Sequence, residues 1–102
     1  MSLTLYGGPK TRASMPRWYL EEKGIPYELK ELDLRGNQHR QPDYLAINPF
    51  GKLPALVDTS KQGMDGQPLK LFESGAILLH LAEHHAGEFT SASQRSLIAQ
   101  WL

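Results

Sequence analysis

Seven residues that follow the first apolar stretch, Gly8-Pro9-Lys10-Thr11-Arg12-Ala13-Ser14, bring two hydroxyls and two cations together around a Gly-Pro turn. The alternating Leu3-Thr4-Leu5-Tyr6 before them reads as a short strand, and Met15 to Leu20 after them suits a helix. The loop therefore joins the C-terminal end of a strand to a helix N-terminus, the place where ligands settle in open α/β sheets. Free N–H groups and the positive end of the helix dipole suit an anion or a thiolate there. Thr11 and Ser14 would add hydroxyl donors, and Lys10 and Arg12 positive charge. No glycine fingerprint for phosphate and no Cys-x-x-Cys is present. The same spacing also suits an ordinary connection in which Ser14 caps the helix.

A second candidate is Asn48-Pro49-Phe50-Gly51-Lys52-Leu53-Pro54. A proline opening a strand leaves neighbouring backbone groups free to pair outside the sheet, and a cis Leu53–Pro54 bond would be a deliberate feature. A plain turn into an edge strand is the other reading. Glu73-Ser74 forms a third, before a helix that Ser74 would cap, and capping with dipole effects accounts for both residues. His80 and His84 lie one helical turn apart, at metal-ligand spacing. No third ligand follows at helical spacing and His85 is expected to point elsewhere, so no metal site is assigned and a solvated or interface face is expected. With the histidines confined to one helix and one loop, no Ser-His-Asp arrangement is argued. Trp18, Tyr19 and Trp101 are expected to pack in cores or interfaces.

Several elements must position these groups. The first helix runs from Met15 to Gly24, with Pro26 forbidding extension. Tyr27 to Leu34 reads as a second strand whose apolar parity slips between Leu29 and Leu32, predicting a bulge or an early exit. Pro42 to Ile47 makes a short helix, Leu53 to Asp58 a strand, Thr59 to Gly66 a hairpin connection, and Leu69 with Leu71 the strand after it. A helix follows from Gly75 to about His85, closed by Gly87, and Ser91 with Gln94 fits a capping box for the next. The order is β-α-β, short helix, β-β-α. It predicts a parallel first pair, a terminal hairpin and helices on both faces of a four-stranded mixed sheet: a thioredoxin-like α/β fold plus the start of an extra helix. Residues 1–86 form one domain, 87–92 a linker and 93–102 the first turns of a further helical part, because the pattern stops at Trp101-Leu102 with no cap.

Composition limits what such a chain can do. In 102 residues, eleven Lys+Arg balance eleven Asp+Glu, which argues against a nucleic-acid partner and a polybasic membrane patch. The longest apolar run, Ala76-Ile77-Leu78-Leu79, falls far short of a bilayer span, and no secretory signal is visible, so a soluble, cytoplasmic chain is expected. Without cysteine there is no disulfide, no thiolate metal site and no thioredoxin-type dithiol mechanism.

From Leu3 to about His85 the sequence resembles the N-terminal domain of the glutathione transferases. The resemblance rests on four segments in order: Leu5-Tyr6-Gly7, Leu20 to Glu28, Asn48 to Leu56, and Leu71 to Ile77. The stretch after Ser91 resembles the start of that family's all-helical second domain. The resemblance implies that the Leu53 backbone, next to a cis Pro54, pairs with the cysteinyl part of glutathione. Glu73 and Ser74 would hold the γ-glutamyl amino and carboxylate groups, and Lys52 with Gln38 or His39 would meet the glycyl carboxylate. Family members hold the thiolate with a Tyr, Ser or Cys just after the first strand. Counting forward from Tyr6 gives Thr11 at that place, and counting back from Lys23-Gly24 gives Lys10. Thr11 assisted by Arg12 is expected, with Ser14 as substitute. The bacterial-type chi and nu classes, with unusual residues here, are the nearest named relatives.

The implied activity is that of a transferase whose co-substrate, glutathione, supplies the sulfur that the chain lacks. Its thiol would be activated as a thiolate for attack on a small electrophile, in detoxification. The rival is a non-catalytic, glutathione-transferase-like binding or assembly module. Family members usually dimerise through both domains, which leaves a homodimer, a monomer or a new assembly open for this short form. Exposed apolar surface is expected around Trp18 and around Leu78 and Leu81, with self-association through the segment near Trp101.

Overall fold

The computed structural model describes residues 2–8, 11–88 and 91–100. Pro9, Lys10, Trp101 and Leu102, which enter the expectations above, lie outside the described residues. Strand β1 (Leu3–Gly7) is the centre of the design. Leu3, Leu5 and Gly7 turn one way and are buried, while Thr4 and Tyr6 turn to the other face. Helix α1 (Ser14–Lys23) then returns the chain to β2 (Glu28–Glu31), parallel to β1. A 3-10 turn (Gln38–Arg40) and α2 (Pro42–Leu45) lead to β3 (Ala55–Gln62) and β4 (Pro68–Phe72). Helices α3 (Ser74–His84) and α4 (Ala92–Ala99) finish the order. The sheet runs β2-β1-β3-β4, with β3 antiparallel to both neighbours. This is the expected thioredoxin-like mixed sheet. Among the described residues no helix is long and apolar enough to cross a membrane.

Leu3, Leu5, Leu20, Ile25, Leu56, Ile77 and Leu81 pack into one cluster between the sheet and α1 and α3. Each such buried side chain contributes about 1.5–3 kcal/mol. On the opposite face Tyr44 of α2 lies against Tyr6, ring centroids 5.6 Å apart, so helices cover both sides as expected. Gly24 ends α1 at φ 66°, with the Ile25 N–H donating to Leu20 O at 3.0 Å and Ile25 tucked into the core. Gly7 permits the closest approach: a Cβ there would stand 2.3 Å from that of Ala13, so only glycine lets β1 end against the start of α1.

Several boundaries differ from expectation. The second strand takes the early exit, stopping at Glu31 short of Leu34, because β1 ends at Gly7, whose carbonyl takes its last bond from the Leu32 N–H at 3.0 Å. Leu34, left without a ladder, is exposed. Strand β3 runs to Gln62 rather than ending at Asp58, and the ladder with β4 slips between those two residues, so the hairpin turn is confined to residues 63–67. Neither expected serine cap forms on α1 or α3. Ala13 is already helical at φ −62°, which places Ser14 inside α1, and Glu73 precedes α3 with Ser74 as its first residue. Ser91 does cap α4, accepting from the Gln94 N–H at 3.2 Å. Trp18 is 67% exposed, on the apolar surface expected around its helix, whereas Leu81, on the other helix named there, is fully buried. Because Leu56 is buried on β3 opposite Leu5, Leu56→Ala should lower the unfolding free energy by about 2–5 kcal/mol, read from urea denaturation midpoints.

Candidate functional site

The turn from Asn48 to Pro54 is held by side chains rather than by the sheet. The Tyr44 hydroxyl donates to the Lys52 carbonyl at 2.6 Å and the Asn48 amide donates to the same oxygen at 2.9 Å. Asn48, only 2% exposed, also accepts from the Phe50 N–H at 3.0 Å. Burial, helped by the neighbouring Tyr6 and opposed by Asn48, pushes the Tyr44 phenol up to about 12, so it stays a donor across the physiological range. Gly51 turns the chain at φ 65°, and the Leu53–Pro54 peptide is cis. Pairing with β4 begins only at Ala55, and among the described residues nothing hydrogen-bonds the Leu53 N–H or C=O.

That open backbone faces the start of α3. Glu73 adopts φ 74° and ψ 123°, unusual for a non-glycine residue and a feature that clusters at ligand sites. Beyond it the first N–H groups of α3 lack intrahelical partners. Arg12, Asn48, Lys52, Leu53, Pro54, Glu73 and Ser74 line one cavity of about 320 Å³. A more open hollow of about 440 Å³ adjoins it, sharing Arg12, Lys52 and Leu53 and adding Thr11, His39, Arg40 and Phe50. The Nδ1 atom of His39 is shielded from solvent and has no hydrogen-bond partner among the described residues.

Six of the residues singled out from sequence thus meet in one cavity: Arg12, Lys52, Leu53, Pro54, Glu73 and Ser74. Thr11 and His39 stand in the adjoining hollow. The Thr11 hydroxyl donates to Gly8 O at 2.8 Å and accepts from the Ala13 N–H at 3.2 Å, so it braces its own loop. Ser14 lies elsewhere, in an apolar groove with Met15, Trp18, Leu78 and Ile98. Gln38 also turns away, its side-chain oxygen accepting from the Asp33 N–H at 2.6 Å. Sequence reasoning missed Tyr44 and Arg40, and placed Asn48 in the second candidate segment without a role of its own. The convergence of Tyr44 and Asn48 on one carbonyl has no spacing signature.

His85 also departs from expectation. On a continuous helix it would lie about 140° around from His80. The chain leaves the helix there, at φ −123° and ψ −27°, and the two Nε2 atoms meet at Asp58 Oδ2, 2.7 and 2.8 Å away.

Residues 1–83 match the family model described as Glutathione S-transferase, N-terminal domain. The chain belongs to the glutathione S-transferase family. It is 44% identical over 103 residues to the disulfide-bond oxidoreductase YfcG of Escherichia coli (strain K12), an alignment covering 98% of this chain and 46% of that protein. A glutathione transferase from Burkholderia graminis, solved with two glutathione molecules bound per subunit, superposes with a TM-score of 0.82 at 38% identity, covering 98% of this chain and 41% of that one. A glutathione transferase from Pseudomonas putida, solved with one glutathione disulfide per subunit, gives 0.79 at 36% identity over 98% and 43%. The chain therefore spans less than half the length of these relatives. Because Asn48 anchors the turn from inside, Asn48→Ala should cost about 1–3 kcal/mol in urea denaturation, through the Phe50 N–H it leaves unpaired and the Lys52 carbonyl it leaves with Tyr44 as its one side-chain donor.

Proposed function

We propose that this chain is the glutathione-binding half of a glutathione transferase, one that holds reduced glutathione in the cavity between Leu53 and the start of α3. The observation that carries the reading is the unpaired Leu53 backbone facing Glu73, Ser74 and the free N–H groups of α3 across a cavity rimmed by Arg12 and Lys52. Glutathione has two carboxylates and one ammonium group, and this lining offers complementary charge to each end. Leu53 would pair with the cysteinyl backbone. Ser74 and the α3 N–H groups would take the γ-glutamyl carboxylate, with the Glu73 carboxylate on its ammonium. Lys52 and His39 would meet the glycyl carboxylate; the Gln38 side chain, engaged by Asp33, is the weaker candidate.

The thiol would then lie near the first loop, where the Arg12 charge lowers its pKa. Thr11 could donate only by giving up its bond to Gly8 O, so Arg12 leads in this reading, and Ser14 in its separate groove is set aside. The thiolate attacks an electrophilic carbon, forming the C–S bond as the leaving group departs with its electron pair. A cytoplasmic setting, where thiols stay reduced, a detoxifying role and a homodimeric full protein belong to the same proposal.

A second reading is favoured by the identity to YfcG and by the glutathione disulfide in the Pseudomonas putida relative. The bound thiolate would attack one sulfur of a disulfide, expelling the other as a thiolate that takes up a proton. A second glutathione thiolate would then attack the mixed disulfide, releasing the remaining thiol and leaving glutathione disulfide.

Isothermal titration of the chain with reduced glutathione tests the shared step. Saturable one-to-one binding, weakened about tenfold or more by Ser74→Ala, is expected; a folded chain that takes up no glutathione sinks both readings and favours a non-catalytic assembly module. In the glutathione complex the thiolate ultraviolet band should titrate at higher pH in Arg12→Ala than in the unaltered chain, since loss of the cation raises the thiol pKa. Turnover of an aryl halide against that of a small dialkyl disulfide separates the first reading from the second.

A further inference from the structure

The C-terminal end of α3 carries a second convergence of chemistry, about 15 Å along the helix from Ser74. Asp58 is 1% exposed, an unusual depth for a carboxylate. Its Oδ1 accepts from the Ser60 hydroxyl at 2.5 Å and the Ser60 N–H at 2.9 Å. Its Oδ2 is left facing both imidazoles, and the three ligand atoms lie within 4.8 Å of one another. We propose that Asp58, His80 and His85 form a binding site for a divalent first-row transition cation, with Zn2+ as its representative.

Two imidazole nitrogens with one carboxylate oxygen make a borderline donor set that suits Zn2+ and leaves a position for water. Tetrahedral coordination separates such ligands by about 3.3–3.6 Å. The present contacts of 2.7 and 2.8 Å need open by less than an ångström, within reach of small side-chain rotations. Ser60 orients the carboxylate from outside the ligand set, as partners of metal ligands do. The protonation states also fit. Burial would raise the Asp58 carboxyl, but the bonds from Ser60, His85 and His80 overcome it and hold the group well below the usual carboxylate range. Burial outweighs the pull of Asp58 on His80 and lowers its pKa, favouring the neutral ring that a metal needs. On binding, each ring would carry its proton on Nδ1 and present Nε2 to the ion. The partly exposed His85 and exposed His84 leave a way in, and the negative end of the α3 dipole favours a cation there. Such an ion would tie β3 to the end of α3.

The test is calorimetric titration of the metal-stripped chain with zinc chloride alone, which is independent of glutathione binding. One-to-one binding is expected, weakened at least tenfold in His85→Gln and again in His80→Gln, and unchanged in His84→Gln and His39→Gln. Circular dichroism confirms the fold of each variant, and His85→Gln, altering a partly exposed ring, is the milder of the two. Cobalt(II) substitution should give the intense visible bands of a tetrahedral site in the unaltered chain and lose them in His85→Gln. No one-to-one binding by the folded chain, or binding that survives His85→Gln, overturns the proposal.

Discussion

The Lys52 carbonyl, fixed between the Tyr44 hydroxyl and the Asn48 amide, is the contact on which the site depends. A carbonyl with two buried donors cannot swing, so the turn after it has one geometry and delivers Leu53 and Pro54 to the mouth of the sheet. That geometry keeps the Leu53 backbone out of the ladder. It also places a two-residue stretch with no catalytic side chain in the lining of the cavity. Tyr44 packs on Tyr6 of the central strand, so the turn is referenced to β1, the rigid part of the molecule.

The opposite wall comes from α3, whose core residues Ile77 and Leu81 fix the helix against the sheet. With that helix immobile, the strained Glu73 backbone and the unpaired N–H groups beyond it point into the same space as Leu53. The two walls meet at the sheet, where Ala55 pairs with Phe72 and the Phe50 and Phe72 rings lie 5.6 Å apart, so β3 and β4 set their separation. Stability and recognition are thus separated in this fold: apolar packing on one side of the sheet positions polar groups gathered at its end.

The architecture was legible because its signals are local. Leu3 and Leu5 alternate, Gly24 with Ile25 ends a helix in the usual way, and Asp65-Gly66 marks a hairpin. Strand lengths were less so, since a ladder ends where its partner ends. Leu32 and Leu34 keep a strand-like composition after β1 has stopped at Gly7, and β3 continues past Asp58 because β4 still offers a partner. The serines before α1 and α3 have cap-like spacing, yet their neighbours' dihedral angles place them inside the helices. Lys52, Leu53, Glu73 and Ser74, singled out through family resemblance, line one cavity. The supporting role of Asn48 and Tyr44 was not legible, since it exists only once the turn has folded. His85 was misread for a related reason: a helical wheel holds only while the helix continues.

In the proposed function the Lys52–Pro54 turn and the start of α3 together form one receptor for glutathione. An amide-shift titration of the isotope-labelled chain with reduced glutathione tests it most directly. Saturable shifts are expected at the amides of Leu53, Ser74 and Gly75, with a single dissociation constant for all three. Shifts confined to the apolar groove around Trp18 and Leu78, or the absence of any shift in a well-folded sample, would contradict it.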